Sequence, residues 1–140
     1  YQPLIPKHII SLNELLEIIS RAKEEFGIEG VSYTGGEPTL QQNLPSLTQK
    51  IKELGLGVIS FTGRKYEDVA TILHGCDMVL DGPFEHDNPE RERKLLGSAN
   101  QRIILLTKRY KDAIGWFDSS GAKMIEVNVG NVILANGDSF

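Results

Sequence analysis

Cysteine is nearly missing from this chain: Cys76 is the only one among 140 residues. A lone thiol excludes an internal disulfide and fits a reducing compartment, so a cytoplasmic location is expected. Long apolar runs are missing too. None exceeds four residues, as in Ile103–Leu106 and Val132–Ala135, whereas a membrane span needs about 20. Positive charge is in deficit, 15 Lys and Arg against 19 Asp and Glu, for a net charge of −4. That balance argues against a nucleic-acid partner and against an anionic membrane surface. The three histidines, His8, His74 and His86, lack the spacing of a metal site, so no metal ligand is assigned. No Walker-type glycine loop, hydrolase elbow or zinc motif occurs. The start, Tyr1-Gln2-Pro3-Leu4, has neither the basic flank nor the apolar stretch of a secretory signal. It begins without Met inside a Pro-containing extended stretch, as expected of the remaining part of a longer protein.

What is present suits one globular α/β domain spanning residues 1–140, with 40% apolar and 24% charged residues. Ser11-Leu12-Asn13-Glu14 reads as a capping box. Leu12, Leu15, Leu16, Ile19, Ala22 and Phe26 follow at helical spacing, and Gly27 is placed to end the helix. An apolar strand, Gly30–Thr34, comes next. A second helix begins near Asn43 and Pro45, buries Leu44, Leu47, Ile51 and Leu54, and stops at Gly55. Residues 57–62 form a strand, Tyr66 to Leu73 a helix closed by Gly75, and Met78–Asp81 and Ile103–Leu106 two further strands. Strands separated by helices predict βαβ units and a parallel sheet of about four strands, too few to close an eight-stranded barrel. An open partial barrel and a small doubly wound sheet both satisfy the pattern. Ile125, Val127 and Val129 then alternate with polar residues, and Gly130-Asn131 precedes Val132-Ile133-Leu134, so a C-terminal antiparallel hairpin is expected.

Ligand loops in α/β proteins lie at the carboxyl ends of parallel strands. The first such end reads Gly35-Gly36-Glu37-Pro38. Adjacent glycines let backbone carbonyls approach a small molecule, and Glu37 adds a carboxylate suited to an ammonium group. Pro38 removes an amide donor and stiffens the loop. The loop presents acceptors, so it suits a cation better than a phosphate. At the second end Thr62 either hydrogen-bonds a ligand or caps the next helix. At the third, Asp81 precedes Gly82-Pro83-Phe84 and offers another carboxylate. The run from Glu85 to Lys94 carries mixed charge and reads as a solvated loop or a partner-facing element. Cys76 reads as a small buried residue.

The blocks Gly-Gly-Glu-Pro-Thr-Leu (35–40), Phe-Thr-Gly-Arg-Lys-Tyr (61–66), Leu-Asp-Gly-Pro-Phe (80–84) and Gly-Ser-Ala-Asn-Gln-Arg (97–102) stand in one order. Over roughly residues 8–110 this series resembles the radical SAM superfamily, and within it the activating enzymes of anaerobic ribonucleotide reductase and their stand-alone relatives. The resemblance implies an open partial (β/α) barrel, with S-adenosylmethionine bound by Gly35, Gly36, Glu37 and Pro38. It adds Thr62, Asp81 and Asn100 as candidates for ribose contact or loop support. It also implies a 4Fe–4S cluster whose electron cleaves the sulfonium to give methionine and a 5′-deoxyadenosyl radical. A glycyl-radical enzyme would be the partner, and flavodoxin or ferredoxin the electron donor.

The chain departs from that family in one respect. It has no C-x3-C-x2-C loop, and three thiolates are needed to hold three irons. The cysteine loop is expected upstream of Tyr1, after a first strand that is also absent, leaving this chain inactive by itself. The alternatives are a degenerate binding module that keeps the fold without the chemistry, and a small α/β enzyme with a fortuitous Gly-Gly-Glu-Pro turn.

Overall fold

A computed structural model describes residues 10–93, 95–112, 125–128 and 135–137. Helix α1, Leu12–Phe26, starts as its capping box predicts: Ser11 Oγ accepts from the Glu14 amide and donates to the Glu14 carboxylate, both at 3.1 Å. Gly27 ends it in the left-handed conformation at φ 62°, where a Cβ would be strained. Leu15, Ile19 and Ala22 are buried as their spacing requires, but Phe26, in the last turn, is 69% exposed. Strand β1, Gly30–Thr34, leads through a 3-10 turn at Pro38–Leu40 to helix α2, Leu44–Glu53. Strand β2 is Gly57–Phe61, helix α3 Tyr66–Leu73, and strand β3 Met78–Asp81. Strands β4 (Arg102–Leu105), β5 (Ile125–Asn128) and β6 (Ala135–Gly137) complete an open six-stranded sheet of order β4-β3-β2-β1-β5-β6.

The parallel members are β1, β2, β3 and β5. The expectation that residues 103–106 would extend the parallel set is corrected, because β4 runs antiparallel to β3, with Met78 opposite Leu105 and Asp81 opposite Arg102. A parallel return needs a crossover. No helix lies among the described residues between β3 and β4, so the chain simply folds back. The C-terminal antiparallel pair is present as β5 and β6, with Glu126 opposite Asn136. Its expected turn at Gly130-Asn131, and Val132–Leu134, lie outside the described residues.

Alternation along the strands assigns two cores. Val31, Tyr33, Val58 and Val79 face the buried stripes of α1, α2 and α3. The three helices thus cover one face with β1, β2 and β3 in sequential order, which is single winding and leaves no doubly wound arrangement among the described residues. On the other face Ile59, Met78 and Leu80 pack against Leu96, with Phe61, Ile103, Leu105 and Tyr110 partly covering them. Tyr33 is fully buried, and its hydroxyl is satisfied by Thr48 of α2 at 2.7 Å. No helix among the described residues is long and apolar enough to cross a membrane.

Candidate functional site

A cleft of about 240 Å³ opens at the carboxyl ends of the parallel strands. Thr34, Gly35 and Gly36 line it from the tip of β1, and Phe61, Thr62 and Gly63 from the tip of β2. The opposite wall comes from Leu80 at the end of β3, Phe84 beyond it, and the Leu95–Gly97 and Gln101 region before β4. The reversal of β4 matters here. Because that strand is antiparallel, its entry rather than its exit reaches the ligand end of the sheet.

Gly35 and Gly36 sit at φ 74° and 42°, backbone that side-chain-bearing residues rarely adopt. A Cβ on Gly36 would meet nothing within 4 Å, so the requirement there is conformational and not steric. Glu37 lies just behind. Its Oε2 accepts from the Thr39 amide (3.1 Å), Thr39 Oγ1 (2.6 Å) and Thr62 Oγ1 (2.8 Å), and its Oε1 from the Gly63 amide (2.8 Å). Burial raises the Glu37 pKa, but the bonds from Thr39, Gly63 and Thr62 outweigh it and hold the carboxyl below its ordinary value. The carboxylate therefore ties the first strand tip to the second. Pro38 is buried in the 3-10 turn that Glu37 caps.

The ties continue across the sheet. The Arg64 amide donates to Thr62 Oγ1 at 3.1 Å, and the Gly82 amide donates to the Arg64 carbonyl at 2.9 Å. Gln101 Nε2 donates to the Gly82 carbonyl at 2.9 Å, while its Oε1 accepts from the Gly97 and Ser98 amides at 2.8 and 3.1 Å. Ser98 Oγ accepts from the Glu85 amide, and Asn100 Nδ2 donates to the Pro83 carbonyl. The Gly97–Gln101 block is thus a clamp on the Gly82–Glu85 loop.

Of the residues singled out in the sequence, Gly35, Gly36 and Thr62 come together in the cleft, with Glu37 and Pro38 directly behind. Asp81 and Asn100 do not line it. Asp81 is buried, accepts from the Tyr66 amide at 2.7 Å to cap α3, and is paired with Arg102. Asn100 holds Pro83, and its Oδ1 is buried without a partner. In the sequence the amide and guanidinium groups of residues 97–102 read as support for the third strand's loop or as a contact for the cofactor's carboxylate. Asn100 and Gln101 here give that loop support, whereas Phe84 and Leu96 carried no such signal. Phe84, Gly97 and Gln101 stand in the ordered blocks, and the signal was the pairing of those blocks: Asn100 and Gln101 answer the peptide carbonyls of Pro83 and Gly82, and Arg102 answers the Asp81 carboxylate. Within the charged run, Glu90 is bonded by Arg93, whose guanidinium and amide, with the Glu92 amide, hold its carboxyl down at about 2.

Residues 6–104 match the family described as "4Fe-4S single cluster domain". Among curated proteins the chain is similar to probable GTP 3′,8-cyclases. One from Sulfolobus acidocaldarius is 41% identical over 51 residues, which is 36% of this chain and 16% of that protein. Another from Metallosphaera sedula is 44% identical over 45 residues, 32% and 14% of the two chains. A third from Saccharolobus solfataricus is 34% identical over 68 residues, 49% and 18%. The chain spans less than a fifth of the length of these three relatives. No solved structure matches it.

The cofactors that accompany this match are S-adenosylmethionine and a 4Fe–4S cluster. The residues of the cleft fit the first: side-chain-free Gly35 and Gly36 with Thr62 on one side, and the apolar side chains of Leu80, Phe84 and Leu96 on the other. They do not fit the second. Cys76, the chain's one thiol, is fully buried just ahead of β3, at the opposite end of the sheet from the cleft. Burial, with the Asp77 charge beside it, pushes its pKa up to about 12, so it is no thiolate ligand. Among the described residues no group of three or more His, Cys, Asp or Glu could hold a metal ion. The family match covers most of the chain and the strand-tip cleft suits one of the two cofactors; the chain belongs to the 4Fe-4S single cluster domain family, within the radical SAM superfamily.

Proposed function

We propose that this chain binds S-adenosylmethionine across the tips of β1, β2 and β3 and forms the cofactor-binding part of a radical SAM enzyme. One observation carries the reading: the Glu37 carboxylate, held by Thr39, Thr62 and Gly63, fixes two side-chain-free residues, Gly35 and Gly36, on the wall of the cleft. Their peptide groups are the acceptors offered to the ligand's ammonium. Glu37 supplies negative charge from behind and sets the loop's position. No step is assigned to a cluster, because this chain lacks its ligands.

The four ordered sequence blocks extend the proposal to a glycyl-radical activase built as an open partial barrel. Its partner would be a glycyl-radical enzyme, and its electron donor flavodoxin or ferredoxin. A second reading is favoured by the curated relatives, named as probable GTP 3′,8-cyclases, and makes a nucleotide the molecule acted on. NMR titration with S-adenosylmethionine tests the common core. Shifts at Gly35, Gly36, Thr62 and Gly63 are expected, and their absence at saturating ligand overturns it. Further titration with GTP in the presence of S-adenosylmethionine separates the two readings, since a second set of saturating shifts supports only the nucleotide-directed one.

A further inference from the structure

Phe84 is a large aromatic residue left 61% exposed on the wall of the cleft. Its position is nevertheless specified in detail. A Cβ on Gly97 would stand 2.8 and 2.9 Å from two carbons of the ring, so Phe84 rests against the bare Gly97 backbone and a side chain there would displace the ring. The His86 ring meets it edge-on, with centroids 6.4 Å apart and planes at 69°. The backbone on either side is held as well: Asn100 grips the Pro83 carbonyl at 2.8 Å and Ser98 the Glu85 amide at 3.0 Å. Gln101 joins Gly82 to Gly97, the two ends of this arrangement.

Exposed aromatics that only fill a surface rarely receive a bare-backbone seat and four side-chain hydrogen bonds to their loops. A pre-positioned ring with a free surface is instead what a flat heterocycle stacks on, and such stacking is tolerant of which base is bound. The polar wall of the same cleft, at Gly35 and Gly36, lies across from it. We propose that Phe84 is a nucleoside-binding residue that stacks on the purine ring of the bound nucleoside, with Gly97 and Gln101 as positioning residues. This rests on the proposal that the cleft takes S-adenosylmethionine, and it assigns the two ends of that ligand to opposite walls.

The test is a set of NMR titrations of the chain with S-adenosylmethionine, adenosine and L-methionine, for wild type, Phe84→Ala, Phe84→Trp and Gly97→Ala. Thermal unfolding of each variant runs alongside. Phe84→Ala is expected to weaken S-adenosylmethionine and adenosine by about 5- to 150-fold, the range of a lost base–aromatic stack. L-methionine binding should be unchanged, Phe84→Trp should retain nucleoside affinity, and Gly97→Ala should reproduce the selective loss without a matching fall in stability. Equal weakening of all three ligands, or no change in any, overturns the proposal. Wild-type chain that binds L-methionine at Gly35 and Gly36 but not adenosine overturns it while sparing the functional reading. Failure to bind either S-adenosylmethionine or L-methionine overturns both.

Discussion

Glu37 accepts four hydrogen bonds from three residues, two of them on another strand tip's loop, and the consequences of changing it follow from that count. Thr62→Val removes one hydroxyl donor to a charged acceptor. A loss of about 1.5–3 kcal/mol in unfolding free energy is expected by urea denaturation, together with weaker S-adenosylmethionine binding as Gly35 and Gly36 lose their fixed position. Glu37→Gln should weaken binding more than Thr62→Val, since it removes charge as well as an acceptor. The carboxyl's folded pKa lies below its unfolded value of about 4.3. Its contribution is therefore fully present above that pH and is lost as pH falls through the folded pKa. Amide shifts of Thr39 and Gly63, followed by NMR from pH 6 downward, should titrate below the ordinary carboxylate midpoint; a midpoint at or above it contradicts the bonding described. Little of this was legible in the sequence. Glu37 read as a ligand for an ammonium; its bonds from Thr39 come from two residues on, but Thr62 and Gly63 are 25 and 26 residues away and only folding brings them within reach.

At the scale of elements, the helices were the most legible part. Apolar spacing and end signals identified α1, α2 and α3 because each signal acts within a few residues. The direction of β4 was not legible, since the same apolar run of residues pairs either way and the outcome depends on what connects it. Two substitutions probe how elements are joined. Tyr33→Phe leaves the Thr48 hydroxyl buried without its partner between β1 and α2, and should cost about 1–2 kcal/mol in chemical denaturation. Asp81→Ala removes the acceptor for the first amide of α3 and the buried partner of Arg102. Loss of a helix cap alone costs about 0.5–2 kcal/mol, and increased amide exchange should appear first at Tyr66 and Glu67. A result confined to the cleft, with α3 unaffected, would make Asp81 a ligand contact instead of a support.

Across the whole molecule the two ends of the sheet do different work. The strand starts are closed: Asp77, fully buried, accepts from the Val58 amide and Thr107 Oγ1 at 2.8 and 2.7 Å and is paired with Lys52. Arg109 reaches the Gly55 carbonyl at 2.8 Å, and Tyr110 covers Gly57 so closely that a Cβ there would stand 2.7 Å from the Tyr110 ring. Gly57→Ala should displace that cover and cost about 1–3 kcal/mol by overpacking, measured by thermal unfolding, with ligand affinity at the far end unchanged. The strand ends, by contrast, are joined by side-chain and loop hydrogen bonds around an open cleft. Anaerobic reconstitution of the 140-residue chain with iron and sulfide should leave no bound 4Fe–4S cluster, because its single thiol lies buried away from the cleft. Iron analysis after desalting checks this, and about four irons per chain would refute it.

Local spacing and composition were enough for the α/β class, the three helices, the Gly-Gly-Glu-Pro turn at a strand tip and the shortage of thiols. Tertiary structure alone decided that β4 runs backwards, that Glu37 is a tie between strand tips, that Asp81 caps a helix, and that Gly97 seats Phe84 on the cleft wall. These depend on which distant groups meet, and a buried polar group goes wherever its partner is. That meeting is set by packing of the whole sheet, which no window of neighbouring residues contains.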